Sequence, residues 1–163
     1  MSIAVVGSGY VGLSLAVLIA KKYNVKILDI DKKRIDLINK KISPIKDKEI
    51  EDYLKNEKLN LIATSSPQEA YKNAEFIIIA TPTNHNTETG SFDTSSVEQV
   101  IQDARSINQK STIVIKSTIP LGFTDSMRSM TNFQNIFFSP EFLRESRALL
   151  DNLYPSRIVV GSK

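Results

Sequence analysis

Short, mainly apolar runs recur along the chain, and segments with helical periodicity separate them. The apolar runs span residues 3–6, 25–28, 59–63, 76–80, 112–115, 136–138 and 158–160. The first helical stripe, at i, i+3, i+4 and i+7, is formed by Leu13, Ala16, Val17 and Ala20. The run 76–80 is apolar at every position, which is typical of a parallel strand buried on both faces. The alternation predicts an α/β fold, a doubly wound parallel sheet of six to seven strands with helices on both faces.

Two polar stretches interrupt this alternation. Residues 46–58 carry Ile50, Tyr53 and Leu54 at helical spacing among mixed charges, which predicts an exposed helix with one apolar edge. Residues 84–94 show no periodicity, and we predict a long loop leaving the fourth strand. His85, the only histidine in the sequence, lies in that loop, and we interpret it as solvated rather than catalytic.

The first strand runs directly into a Gly-x-Gly-x-x-Gly turn formed by Gly7, Gly9 and Gly12. In a dinucleotide-binding βαβ unit the first glycine allows a sharp turn and the second leaves room for a pyrophosphate. The third lets the helix pack close to the strand. Free N–H groups at the helix N-terminus then face the anion. The flanking strand and helix favour this Rossmann-like interpretation over a chance glycine loop.

Asp29 ends the second strand, about 20 residues past the glycines, where a carboxylate reaches the adenosine ribose hydroxyls. The basic cluster at 32–34 raises the alternative of NADP, because lysine or arginine there can bind a 2′-phosphate. The carboxylate of Asp29 would repel that phosphate, so we predict NAD. Arg34 is then expected against the adenine or its ribose, or in solvent.

Polar residues follow three further strands where each one ends, at 81–83, 116–118 and 139–145. The carboxyl ends of parallel strands meet at one edge of a sheet, which is where open α/β sheets bind ligands. The last stretch contains Glu141 and Glu145. Spacing alone leaves two interpretations open: a functional carboxylate pair, or the first turn of a helix whose dipole favours acids while Arg144 is solvated.

Composition narrows the function classes. A chain of 163 residues suits one domain, here residues 1–163, with a core of its own. The sequence has no cysteine, which excludes disulfides, thiolate metal sites and a cysteine nucleophile within these residues; we predict no metal site. The net charge of +3 is too small for a nucleic-acid-binding signature. We see no signal peptide and no apolar run near the ~18 residues of a membrane span, and expect a cytoplasmic protein.

Five stretches together carry a resemblance to a known family. They are residues 7–14, 81–84, 116–120, 139–145 and 152–157. In these stretches the chain resembles, over its whole length, the N-terminal NAD-binding domain of bacterial UDP-glucose 6-dehydrogenases, in the UDP-glucose/GDP-mannose dehydrogenase family. Wider relatives oxidise GDP-mannose or UDP-N-acetylmannosamine, and the Tyr154-Pro155-Ser156-Arg157 ending favours the UDP-glucose branch.

The resemblance implies an enzyme that oxidises UDP-glucose to UDP-glucuronate with two NAD, through a cysteine-bound thioester, as a homodimer. It implies catalytic roles for Glu141, Thr118 and Glu145. The cofactor residues it implies are Gly7, Gly9, Tyr10, Val11, Gly12, Asp29, Arg34, Thr83, Thr118 and Glu145. The substrate-binding residues it implies are Glu141, Phe142, Leu143, Arg144 and Glu145.

The chain departs from the family in one respect that decides its chemistry. The family's nucleophilic cysteine belongs to central and C-terminal domains absent from residues 1–163, and without a thiolate no covalent intermediate forms. We therefore expect this chain alone to be inactive. Two alternatives remain: a domain of another nucleotide-sugar dehydrogenase, and a stand-alone NAD-binding or interaction module without catalysis. The segment 141–145 argues against a general hydroxyacid dehydrogenase.

Overall fold

The computed structural model describes residues 1–87 and 91–161 and is built on a six-stranded sheet. The strands of the described residues are β1 (Ser2–Val6), β2 (Asn24–Leu28), β3 (Leu61–Thr64), β4 (Phe76–Ile79), β5 (Asn84–Asn86), β6 (Ser91–Asp93), β7 (Thr112–Ile115) and β8 (Ile136–Phe138). The sheet order is β3-β2-β1-β4-β7-β8, with every neighbouring pair parallel. The strand order reverses between β1 and β4, which is the switch point where such sheets bind ligands.

Helices cover both faces of this sheet. They are α1 (Tyr10–Ala20), α2 (Lys32–Asn39), α3 (Lys48–Asn56), α4 (Pro67–Tyr71), α5 (Ser95–Ile107), α6 (Phe123–Thr131) and α7 (Ala148–Leu153). Successive residues of β1 separate the two cores: Val5 packs with Leu13 and Ile27 on one face, whereas Ala4 packs with Ile77 and Ile101 on the other. The predicted doubly wound α/β fold is confirmed. None of the helices in the described ranges is long and apolar enough to cross a membrane.

Two helices follow from local sequence. The Asp31 side chain caps α2 by accepting hydrogen bonds from the N–H groups of Lys33 and Arg34. The apolar edge of α3 is part of the core, because Ile50 and Leu54 are 0% and 2% exposed. The other residues of α3 are exposed or half-buried, as expected for an exposed helix with one apolar edge.

Two predictions about strands are wrong. Residues 158–160 do not form a seventh strand; only the Gly161 N–H reaches the sheet, donating to the Phe138 carbonyl in an isolated antiparallel bridge at 2.7 Å. β-branched residues favour a strand only where a partner backbone is available along their length. The predicted loop 84–94 contains the antiparallel pair β5–β6, with His85 opposite Phe92, and its residues 88–90 lie outside the described ranges. These two strands have three residues each, which is too short for the alternation of apolar and polar positions by which a strand is predicted from sequence.

The segment after β8 ends in α7, a helix that the sequence patterns did not predict. It packs against α1 and α3. Asp47, only 1% exposed, both caps α3 at the Ile50 N–H (3.1 Å) and accepts the Leu149 N–H (3.4 Å). Asn152 donates to the Ser14 hydroxyl of α1 at 2.8 Å. Both bonds join parts of the chain more than a hundred residues apart, and they fix α7 on the sheet's helical layer.

The stretch between β8 and α7 is fastened at both ends. At its start the Lys116 Nζ donates to the Pro140 carbonyl at 3.2 Å and to the Ser139 hydroxyl at 3.4 Å. Near its end, Arg144 donates to Asp151 through its backbone N–H (2.9 Å), Nε (3.0 Å) and Nη2 (2.7 Å). A bidentate guanidinium–carboxylate pair of this kind restrains orientation as well as distance.

We predict that Asp47→Ala lowers the free energy of unfolding by about 1–2 kcal/mol, because it removes a helix cap and leaves the Leu149 N–H without its acceptor. Asp47→Asn keeps one acceptor oxygen and should lose less. Urea denaturation of the two variants and the unaltered chain measures the difference. Equal stability of all three would contradict the role given to this carboxylate.

The Asp151 carboxyl should make stability depend on pH. Hydrogen bonds from Arg144 hold its pKa at about 2, below its ordinary 3.8. A depressed folded-state pKa stabilises the fold above pH 3.8, and this contribution is lost as the pH falls towards 2. Asp151→Asn should therefore be less stable than the unaltered chain at neutral pH, and this difference should vanish near pH 2.

Denaturation curves across this range provide the check, with Asp36→Asn as the control because that exposed side chain lies away from Arg144. A stability gap for Asp151→Asn that stays constant with pH would contradict the assigned pair.

Candidate functional site

A cleft of about 940 Å³ runs along the carboxyl edge of the sheet. It begins beyond the end of β3, passes the glycine turn after β1 and ends at the segment that follows β8. The segments that follow all six strands of this sheet contribute to its walls. The volume is at the upper end of the range usual for ligand pockets, which suits an elongated ligand.

The glycine turn forms the floor of this cleft. Gly7 has a φ of +95°, a conformation that favours glycine, and a Cβ at Gly12 would lie 1.9 Å from the Gly7 carbonyl oxygen. A Cβ at Gly9 would meet nothing within 4 Å, so this position faces the open cleft. No side chain caps α1 at its N-terminus. Open space in front of N–H groups that the helix itself does not use fits a bound pyrophosphate.

Asp29 lies beside this turn with its carboxylate held in a fixed orientation. It accepts hydrogen bonds from the Ser8 N–H at 2.8 Å, the Ser8 hydroxyl at 2.5 Å and the Asp31 N–H at 2.9 Å. A carboxylate has about four acceptor positions, so one remains for a ribose hydroxyl. Arg34 donates to the Ser8 carbonyl at 3.2 Å and lies 3.8 Å from Asp31. Its guanidinium therefore lines the cleft instead of extending into solvent.

The loops after β4 and β7 are bonded to each other. The Ser117 hydroxyl donates to the Thr81 carbonyl at 2.6 Å, and the Ser96 hydroxyl of α5 lies 3.0 Å from both the Thr81 hydroxyl and the Pro82 carbonyl, within hydrogen-bond reach of each. These bonds are internal to the protein. They leave Thr83 and Thr118, which line the cleft, as the hydroxyl side chains available to a ligand at these two strand ends.

The segment 139–145 forms neither a helix nor a strand, and alternate residues of its second half line the cleft. Glu141, Leu143 and Glu145 line the cleft. Phe142 points away and packs under the Arg157 guanidinium, 4.2 Å from its ring centroid, and Arg144 binds Asp151. No helix begins at Glu141, so a helix dipole does not explain this carboxylate pair. The structure thus brings three residues of the segment together with the glycine turn and directs two elsewhere.

Lys116 is a cleft residue to which sequence reasoning gave no role. Besides its bonds to Ser139 and Pro140, its ammonium lies near Glu141, and burial lowers its pKa while the Glu141 charge opposes that shift. Its position directly after β7 was the available signal. The sequence gave no indication that it would reach across to the next strand.

One wall of the cleft was not predicted from the sequence. It is formed by Ser65, Pro67, Tyr71, Gln99 and Asp103. These residues come from the loop after β3 and from α4 and α5, whose packing against each other creates this wall. In the described part of the chain, no three His, Asp or Glu side chains are grouped so that they could hold a metal ion.

Comparison with known proteins identifies this arrangement. The family model described as "UDP-glucose/GDP-mannose dehydrogenase family, NAD binding domain" matches residues 1–163. The UDP-glucose 6-dehydrogenase of Streptococcus pneumoniae is 56% identical, over 99% of this chain and 41% of its own length. That of Campylobacter jejuni is 50% identical, over 100% of this chain and 42% of its own length. The chain thus spans about two fifths of these relatives.

Solved structures agree with the sequence comparison. A GDP-mannose dehydrogenase from Pseudomonas aeruginosa, solved as a ternary complex, superposes with a TM-score of 0.88 at 26% identity, over 100% of this chain and 41% of that one. A UDP-glucose dehydrogenase from Pyrobaculum islandicum gives a TM-score of 0.85 at 30% identity, over 98% and 40%.

The glycine turn and the held carboxylate of Asp29 are what an NAD-binding domain requires, and the predicted cofactor and family are confirmed. The chain belongs to the UDP-glucose/GDP-mannose dehydrogenase family, as its NAD-binding domain.

Proposed function

We propose that residues 1–163 are the NAD-binding part of a UDP-glucose 6-dehydrogenase, which oxidises the C6 alcohol of UDP-glucose to a carboxylate with two NAD. One observation carries the proposal. Glu141, Leu143 and Glu145 line the same cleft as the glycine turn, so groups suited to act on a substrate face the cofactor site. The identities of 56% and 50% to UDP-glucose 6-dehydrogenases, against 26% to a GDP-mannose dehydrogenase, favour UDP-glucose.

The glycine turn and Asp29 bind the adenosine diphosphate half of the cofactor in this proposal. The backbone N–H groups of Tyr10 and Val11 donate to the pyrophosphate over the open position at Gly9. Asp29 accepts from the ribose hydroxyls, and its negative charge disfavours the 2′-phosphate of NADP. Arg34, held at the Ser8 carbonyl, lies along the same half. When bound, NAD supplies the hydride acceptor.

The opposite half of the cleft carries the reacting groups. Thr83, Thr118 and Glu145 bind the nicotinamide half, and Thr118 also orients a water. The Glu141 carboxylate accepts a proton from the water that hydrolyses the cysteine thioester. The segment 141–145 binds the sugar nucleotide through the Leu143 side chain and the carboxylates of Glu141 and Glu145. Phe142 and Arg144 contribute to this binding through their backbone, since the Phe142 ring packs against Arg157 and the Arg144 guanidinium binds Asp151.

The thiolate of the reaction has to come from outside these residues, because the sequence contains no cysteine. In this proposal the cysteine is carried by further domains of a homodimeric full-length enzyme. The chain matches about two fifths of the length of relatives that bear the enzyme's name. Lys116 belongs to the same half of the cleft, where it fastens the start of the segment that carries Glu141.

We predict that Gly9→Ala weakens NAD binding, whereas Gly12→Ala lowers the stability of the fold. A methyl group at Gly9 enters open space, so stability should stay within about 0.5 kcal/mol of the unaltered chain. The methyl would occupy the pyrophosphate's place and weaken NAD binding about tenfold, or ~1.4 kcal/mol. Gly12→Ala meets the Gly7 carbonyl and should lower the free energy of unfolding by about 1–3 kcal/mol.

Urea denaturation and calorimetric titration with NAD measure the two effects on the same preparations. A Gly9→Ala chain that binds NAD as tightly as the unaltered one would overturn the pyrophosphate assignment.

The whole proposal is tested on the purified 163-residue chain. We expect saturable NAD binding, weaker binding of NADP, and no NADH from UDP-glucose and NAD, because the chain has no thiolate. Calorimetry and NADH absorbance are the measurements. NADH production by this chain would contradict the proposal that the reaction requires a cysteine, and equal affinity for NAD and NADP would contradict the role of Asp29. Thermal shifts of the full-length protein with UDP-glucose, GDP-mannose and UDP-N-acetylmannosamine identify the sugar nucleotide.

A further inference from the structure

The sheet ends at β3, and within the described ranges no strand pairs with its outer edge. On the inner side, the carbonyls of Asn60 and Thr64 accept hydrogen bonds from the N–H groups of Val25 (2.8 Å) and Asp29 (3.2 Å). Backbone groups alternate in direction along a strand, so the N–H and the carbonyl of Ala63 point outwards. An open edge of this kind is a template for pairing with another chain.

The Asn39 side chain occupies this outward position. Its Nδ2 donates to the Ala63 carbonyl at 2.9 Å, and its Oδ1 accepts a hydrogen bond from the Ala63 N–H at 2.8 Å. In an antiparallel pair of strands, two residues that face each other exchange the same two bonds. One primary amide therefore supplies both the donor and the acceptor that a further strand would supply.

Packing of α2 holds Asn39, its last residue, beside this edge. Ile35 and Ile38 on the same helix are buried and belong to the same core cluster as Ala63. The helix ends directly afterwards, where Lys41 has a φ of +61°. The core thus places the amide at the edge, and its removal should open the edge without releasing α2 from the sheet.

The strand behind this edge has the composition of a segment that pairs with itself. Residues 59–64 contain no charge, no proline and no glycine, and the Ile62 side chain is 58% exposed. Short uncharged segments of this kind stack with identical copies. Edge strands commonly prevent such pairing with a lysine or a proline, and residues 59–64 have neither. A second copy of the chain, which brings the same segment, is therefore the partner that this edge fits.

We propose that the Asn39 side chain closes the β3 edge against a second copy of this chain, whose own residues 59–64 would otherwise pair with it antiparallel about a two-fold axis. Such an axis places the same segment on both sides, so each copy supplies the donors and acceptors that the other requires. Neither Asn39 nor Ala63 lines the cleft, so the inference is independent of the proposed function.

The test compares the association of the 163-residue chain with that of its Asn39→Ala variant, by sedimentation velocity over a range of protein concentrations. We expect the variant to associate at concentrations roughly tenfold or more below those at which the unaltered chain does. The readout is the change caused at position 39, so association through another surface does not affect it. Asn39→Gln keeps an amide but displaces it by one methylene, and it should associate as well.

A second substitution shows whether the association runs through β3. Adding Ile62→Lys to Asn39→Ala should restore the association behaviour of the unaltered chain, because a lysine on an edge strand repels a second copy. The isoleucine is exposed, so the lysine can be accommodated at the surface.

Asn108→Ala is the matched control. The Asn108 amide also bonds to backbone, donating to the carbonyls of Tyr71 (2.9 Å) and Ala74 (2.8 Å), but these belong to α4 and the turn after it and not to a sheet edge. Its loss should lower the stability measured by urea denaturation and leave association unchanged. If Asn39 only fastened α2 to the sheet, Asn39→Ala would behave in the same way.

The outcomes separate edge closure from stability alone. Association that appears in the position-39 variants and is reversed by Ile62→Lys supports the proposal. It is overturned if both position-39 variants sediment like the unaltered chain, if Asn108→Ala associates to the same extent, or if the lysine has no effect. Failure of both position-39 variants to fold also overturns it, because the amide would then hold α2 in place.

Discussion

The close approach of α1 to the end of β1 is the constraint on which the rest of this protein depends. It is possible only because Gly12 has no side chain where the Gly7 carbonyl lies. The contact sets the helix N-terminus at the edge of the sheet, where its free N–H groups face the cleft. It also fixes the position of Leu13 and Val17, which bury one face of the sheet. A larger residue at position 12 would move the anion site and the core together.

The position of α1 in turn determines where the segment after β8 lies. Ser14 on α1 accepts the hydrogen bond from Asn152 of α7, and the buried Asp47 joins α7 to α3. Because α7 is fastened to the helices of one face, the stretch between β8 and α7 has to cross the carboxyl edge of the sheet. This crossing brings Glu141 and Glu145 to the cleft that begins at the glycine turn. Secondary structure packed far from the cleft thus sets the spacing of the site.

The two ends of the cleft differ in what they can distinguish. The glycine turn and Asp29 match features common to all dinucleotides, a pyrophosphate and a ribose, and any domain of this class needs them. In the function proposed above, the substrate is met at the segment 141–145, whose start is held by Lys116. The generic contacts are thus at the glycine turn, and the selective contacts are at the other end of the same cleft.

The sequence by itself determined the features that depend on neighbouring residues. Alternating apolar runs and helical stripes specified the doubly wound sheet, and the glycines with Asp29 specified a dinucleotide site, because strand burial, helical period and backbone sterics are local properties. Only the tertiary structure decided the features that depend on distant partners. It formed α7 and the β5–β6 pair and left 158–160 outside the sheet. It also turned Phe142 and Arg144 away from the cleft and brought Tyr71 and Lys116 into it. Those outcomes are set by contacts such as that of Asp47 with Leu149, 102 residues apart, which no local pattern contains.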